Sequence, residues 1–62
     1  MNTQNLIAVT VPDAATLSGL SRSAIYEALK RGDLAAKKAG GRTLILVADL
    51  RAYMIGLPAY QN

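Results

Sequence analysis

Residues 21–32 read SRSAIYEALKRG. Placed on a helix at about 100° per residue, Ala24, Ile25, Ala28 and Leu29 fall on one side. Arg22, Ser23, Tyr26, Glu27 and Lys30 fall on the other. Ser21 supplies a hydroxyl where a helix needs an N-cap, and Leu20 with Ile25 has the spacing of a hydrophobic staple. Gly32 is a natural stop, because glycine enters the left-handed conformation that ends helices. Lys30 and Arg31 then sit at the negative end of the helix dipole. Glu27 and Arg31 are spaced as an i,i+4 ion pair. The apolar side of this helix must pack on something, and the outward side carries cations, hydroxyls and one carboxylate. Its neighbours in the chain decide what each side is for.

Upstream, Thr10-Val11-Pro12-Asp13 has the form of a helix start. Thr10 is the expected N-cap, Pro12 lies in the first turn where its missing N–H does no harm, and Asp13 stands in for the usual Glu at the third helical position. A first helix is predicted over residues 11–18, with Ala14, Ala15, Leu17 and Ser18 as its packing residues and Gly19 as its stop. Three or four residues, one of them glycine, then separate the two helices. This is the spacing of a helix-turn-helix, which many helical hairpins share.

Downstream, AAKKA, GG and RTLILV read as two strands around Gly40-Gly41, a pair suited to a two-residue turn. Such a turn sets Ala39 opposite Arg42 and Lys37 opposite Leu44. Lys37, Ala39, Arg42 and Leu44 then share one face, and Ala36, Lys38, Thr43 and Ile45 the other. A third helix is predicted over residues 47–55, with Leu50, Tyr53 and Met54 as its apolar stripe, Gly56 as its stop and Pro58 beyond. Residues 1–8 read as a mobile arm, residues 9–56 as the domain and residues 57–62 as a tail. The run LILVA, residues 44–48, is apolar on both faces of a strand, and Leu46 is a poor N-cap. A partner, such as a second copy of the protein, is expected to cover the outer face. The alternative cover is the N-terminal arm, through Leu6 and Ile7.

A chain of 62 residues has room for one domain and a small core. It contains no cysteine and no histidine, so disulfides and thiolate or imidazole metal sites are excluded, and no cofactor is expected. The aromatic residues are Tyr26, Tyr53 and Tyr60; alanine fills many other positions and contributes little buried area at each. No apolar run approaches the roughly 18 to 20 residues of a membrane span, and MNTQNLIA lacks the form of a signal peptide. A soluble, cytoplasmic protein is expected. The net charge is +3, and six of the seven basic residues lie between Arg22 and Arg42. That bias suits a nucleic-acid partner.

The run from Val9 to Met54 resembles the small winged helix-turn-helix domains of the excisionase family, which are related to MerR-type DNA-binding domains. The resemblance rests on TVPDAA at the first helix, GLSRSAIYEALKRG at the turn and second helix, GGR at the wing and ADLRAYM at the third helix, in this order and spacing. It implies a mainly α fold of three short helices and a two-stranded wing. It also implies that the second helix enters the major groove of double-stranded DNA, with Arg22, Ser23 and Tyr26 as contacts. Lys30 and Arg31 would approach backbone phosphate. Gly40, Gly41 and Arg42 would form the tip of the wing, flanked by Lys37 and Lys38. The chemistry agrees: Arg bonds guanine in a bidentate way, hydroxyls bond bases or phosphates, and a glycine turn lets backbone come close.

Each of these residues also has a plainer explanation. Dipole charge accounts equally for Lys30 and Arg31, turn geometry for Gly40 and Gly41, and packing for Tyr26. Glu27 reads as solvated surface, since a carboxylate near phosphate is unfavourable unless it accepts from cytosine or orients an Arg. The departure from the family's pattern is LILVA, where members carry polar or charged residues.

The resemblance implies a DNA-binding protein without catalysis. The leading expectation is an excisionase-like recombination directionality factor, which binds and bends DNA and recruits an integrase or other recombinase to promote excision of a mobile element. A bare winged helix, without the dimerisation helix and effector domain of MerR-type regulators, acts through DNA shape, through neighbours on DNA or by occlusion. The alternatives are a small transcription regulator of a phage or mobile element, and a terminase-small-subunit-like module in which LILVA docks a larger protein. Bound to DNA, the protein would be associated with the nucleoid. Tyr26 as a recombinase nucleophile lacks the surrounding basic catalytic set, so no enzyme activity is expected.

Overall fold

The computed structural model describes residues 6–60. The first five residues of the expected arm and the last two of the expected tail lie outside the described residues. The element order is β1 (Ala8–Thr10), α1 (Val11–Ser18), α2 (Arg22–Arg31), β2 (Lys37–Ala39), β3 (Arg42–Leu46) and α3 (Val47–Ile55).

The helix ends are local chemistry. The Asp13 N–H donates to Thr10 Oγ1 at 3.4 Å, and α1 stops at Gly19, whose φ of 80° is left-handed. The Ala24 N–H donates to Ser21 Oγ at 3.1 Å, starting α2. At its other end Gly32 has φ 84°, and the amides of Asp33 and Leu34 both donate to the Ala28 carbonyl. Leu34 then drops into the core at 3% exposure, as an apolar residue following such a cap does.

The sheet is antiparallel with order β1-β3-β2. The hairpin pairs Lys37 with Leu44, Lys38 with Thr43 and Ala39 with Arg42, which is the register expected for a two-residue turn. β1 is the element that the sequence reading did not contain. It pairs with the other edge of β3, Ala8 with Leu46, Val9 with Ile45 and Thr10 with Leu44. Paired residues share a face, so Val9 and Ile45 point inward together and both are buried. Leu44 and Leu46 lie on the outer face beside Thr10, Lys37 and Ala8, half-buried.

This corrects the reading of LILVA. Ile45 belongs to the core, Val47 has left the strand and packs on the core from α3, and Leu44 and Leu46 lie on the outer face of β3. The N-terminal segment, the alternative cover, takes part on the core side: Leu6 packs against the core, and β1 pairs along the free edge of β3. The side chain of Ile7 takes no part in that cover and is 80% exposed. Its carbonyl instead accepts from the Val47 N–H at 2.9 Å. Leu46 makes no side-chain cap, as its identity requires, and the Ile7 carbonyl just before β1 accepts from the first amide of α3 in its place.

The core is Val9, Val11, Ala14, Ile25, Ala28, Leu34, Ile45 and Leu50, with Ala15, Leu20, Leu29 and Tyr53 among the half-buried residues around it. Two expectations for α1 change. Val11 is buried where Leu17 was expected, and Leu17 is 40% exposed. Val11 follows directly on β1, so the sheet directs it inward. α1 touches α2, α3, β1 and β3, and is the only helix that reaches all of them. A helix-turn-helix of α1 and α2, a β-hairpin wing after it and a third helix after the wing make this a winged helix-turn-helix fold.

Ile25 and Ile45 are the largest fully buried side chains. A core this small supplies at most about 3–5 kcal/mol of net stability. Ile25→Val is expected to cost about 0.5–1.5 kcal/mol and remain folded, while Ile25→Ala costs about 2–5 kcal/mol, enough to unfold most of the protein. Urea titrations followed by circular dichroism will distinguish the two.

Candidate nucleic-acid interface

The burial of α2 divides as its sequence does. Ile25 and Ala28 are fully buried and Ala24 and Leu29 half-buried, so the opposite side must face out. Arg22, Ser23, Tyr26, Glu27, Lys30 and Arg31 are all exposed. Tyr26, at 56% exposure, is not a core residue, which removes packing as the explanation for it. The Ser21 cap sets the start of the helix, so Arg22 and Ser23 stand in its first turn. Helix N-terminal residues in this position are those that reach base edges in helix-turn-helix complexes.

The wing is built by its turn. Gly40 has φ 58° and Gly41 φ 84°, both positive, as a type I′ hairpin turn requires. Lys37, Lys38 and Arg42 flank that turn and are exposed. The wing reaches the rest of the domain through β3, which packs on α1 and α3, while α2 packs on α1. The candidate residues therefore occupy α2 and the wing, both of which pack on α1.

The cations differ in one respect. Among the described residues the single ion pair is Arg31 Nε to Asp33 Oδ2 at 3.0 Å, with both side chains more than half exposed. Arg22, Lys30, Lys37, Lys38 and Arg42 have no carboxylate partner there. The expected pairing of Arg31 with Glu27 is replaced, because the left-handed turn at Gly32 brings Asp33 back onto the last residue of the helix. The hydrogen bond that Arg31 donates to the Asp33 carboxylate, and then the charge of that carboxylate, hold Arg31 above its ordinary basicity, with Tyr53 adding in the same direction. An exposed pair of this kind contributes little to stability. Asp33 was not singled out from the sequence. The Arg-Gly-Asp order across a helix stop was the available signal, since the turn folds the third residue toward the first.

Beside this pair, an open depression of about 350 Å³ lies between the end of α2 and α3, with Asp33, Asp49 and Tyr53 in its lining. No group of three or more potential metal-ligating side chains occurs among the described residues. None of their helices is long and apolar enough to cross a membrane.

An exposed, capped second helix and a basic glycine-turn wing define a DNA-binding type of domain. A family profile described as a helix-turn-helix domain matches residues 8–56, and the chain belongs to that family. The match begins at the first residue of β1 and ends just after α3. No curated protein and no solved structure matches the chain. Family membership supports DNA binding as the activity.

A Cβ added at Gly41 meets no atom within 4 Å, so space is not the obstacle to a side chain there. The backbone is: an L-residue in the left-handed region costs about 1–2 kcal/mol. Gly41→Ala is expected to lower stability by that amount and to speed amide exchange in β2 more than in α1. Equal stability of the two proteins would show that the turn rearranges freely.

Proposed function

We propose that this protein is a sequence-specific DNA-binding factor of the excisionase kind, which bends double-stranded DNA and promotes excision of a mobile element by a recombinase. α2 lies in the major groove, where Arg22, Ser23 and Tyr26 read base edges. Lys30 and Arg31 meet phosphates at the end of the helix. Lys37, Lys38 and Arg42 carry the wing onto the backbone or the minor groove, and Gly40-Gly41 lets the tip approach closely. The observation that carries the reading is the set of five exposed cations without carboxylate partners, spread over a capped α2 and the wing. Each of these cations that neutralises a phosphate releases condensed counterions from the DNA.

The excision role is supported by the resemblance of TVPDAA, GLSRSAIYEALKRG, GGR and ADLRAYM to excisionases. A transcription regulator would perform the same physical act at a promoter. Self-association on DNA has less to recommend it than LILVA implied, because Leu44 and Leu46 are half-covered by their strand neighbours.

Binding that uses about four to six phosphates gives a log–log salt slope near −4 to −5. A protein-docking module would be nearly indifferent to salt. With duplexes selected by the protein from a random pool, Arg22→Ala is expected to lose about 1–3 kcal/mol on the selected site and little on random duplex. Arg42→Ala should weaken both alike. Unchanged affinity and footprint of Arg22→Ala would remove α2 from the major groove. Bending, measured by circular permutation of the selected site, tests the architectural role, and a straight complex would overturn it.

A further inference from the structure

We infer that Asp33 is a positioning residue, which holds the Arg31 guanidinium in one orientation so that its free edge receives a DNA phosphate at the end of α2. The inference rests on the reading of α2 as the DNA-facing helix and adds to it a residue that the family resemblance does not assign.

Three observations carry it. First, the contact is through Nε, at 3.0 Å. A guanidinium held by Nε keeps N–H donors on its two terminal nitrogens, and these suit two oxygens of one phosphate. Second, Asp33 is itself firmly placed. Its amide donates to the Ala28 carbonyl at 2.9 Å, Gly32 before it is locked in the left-handed cap, and Leu34 after it is anchored in the core. A carboxylate on so fixed a piece of backbone can orient a long, otherwise freely rotating arginine. Third, Arg31 keeps 57% of its side-chain surface open, so the pair leaves room for a third group.

Electrostatics alone argues the other way, and this makes the inference testable by sign. Asp33 places a negative charge beside a surface that binds a polyanion, and Asp49 lies nearby in the same depression. If Asp33 did no more than oppose DNA, its neutralisation would tighten binding. If it orients Arg31, neutralisation loosens binding, because the ordering of a long side chain must then be met on association. That ordering corresponds to roughly two- to tenfold in affinity.

The test uses the full chain and two probes, a duplex selected from a random pool by the wild-type protein and a random duplex of equal length. Fluorescence anisotropy is measured across a salt series for wild type, Asp33→Asn, Arg31→Ala and the double variant. Far-ultraviolet circular dichroism checks that each is folded. The expected result is that Asp33→Asn binds the selected duplex about two- to tenfold more weakly than wild type. Arg31→Ala is expected to reduce the magnitude of the salt slope by about one. In the Arg31→Ala background, Asp33→Asn is expected to cause no further loss, a coupling that neither a general charge effect nor a structural role would produce. Tighter binding by Asp33→Asn in both backgrounds overturns the inference, as does an Arg31→Ala variant with unchanged affinity and slope. In either case, selective and salt-dependent binding by the wild type leaves the DNA-binding reading standing. If the wild type binds neither probe, both fall.

Discussion

The structure depends on Ala14 and the space it leaves. α1 is the one helix that touches α2, α3, β1 and β3, and Ala14 on it is fully buried. A methyl group at that point lets three layers of backbone come close. Ile25 from α2 and Ile45 from β3 can then fill the centre, with Val9, Val11, Leu34 and Leu50 closing around them. In a chain of 62 residues without a large aromatic side chain in the centre, close approach substitutes for bulk. Through this contact the orientation of α2 is set. Ile25 and Ala28 turn inward, and the same rotation presents Arg22, Ser23 and Tyr26 to solvent.

The candidate interface follows from how the elements end. Ser21 starts α2 and Gly32 stops it, so the outward residues occupy a helix of fixed length. The stop does more than end the helix. It returns the chain so that Asp33 meets Arg31 while Leu34 enters the core. The two positive-φ glycines at 40 and 41 turn the hairpin tightly, which gathers Lys37, Lys38 and Arg42 at one end of the sheet. Charge is thus concentrated by turns, and the apolar side chains that hold the turns in place lie elsewhere in the sequence. The division explains why the candidate face carries almost no part of the core, so its side chains can vary in charge or shape at small cost in stability.

Much of this was legible in the sequence. The two capped helices, their glycine stops, the hairpin register and the outward set on α2 all appear where the residues place them. Tyr26 was open between packing and display, and its exposure decides for display. Leu17 and Val11 were exchanged because α1 is short, and helical periodicity over so few residues leaves the buried side ambiguous. The run LILVA was recognised as too apolar for a two-stranded wing. The missing piece was a third strand of three residues, too short to show an alternation of its own. How the outward residues engage DNA is a proposal built on this geometry and on membership of the helix-turn-helix family.

The sequence by itself determined what depends on neighbours within one helical turn: the caps at Thr10 and Ser21, the left-handed stops, the Gly-Gly turn and the segregation of charge. These interactions close over a few residues of chain and need no partner from afar. The tertiary structure alone decided what depends on residues distant in sequence. It paired β1 with β3, turned Ile45 inward while Leu44 and Leu46 stayed out, and gave α3 a cap from the Ile7 carbonyl that Leu46 has no side chain to make. A backbone carbonyl carries no side-chain signature, so its partner becomes known only when the chain has folded back on itself.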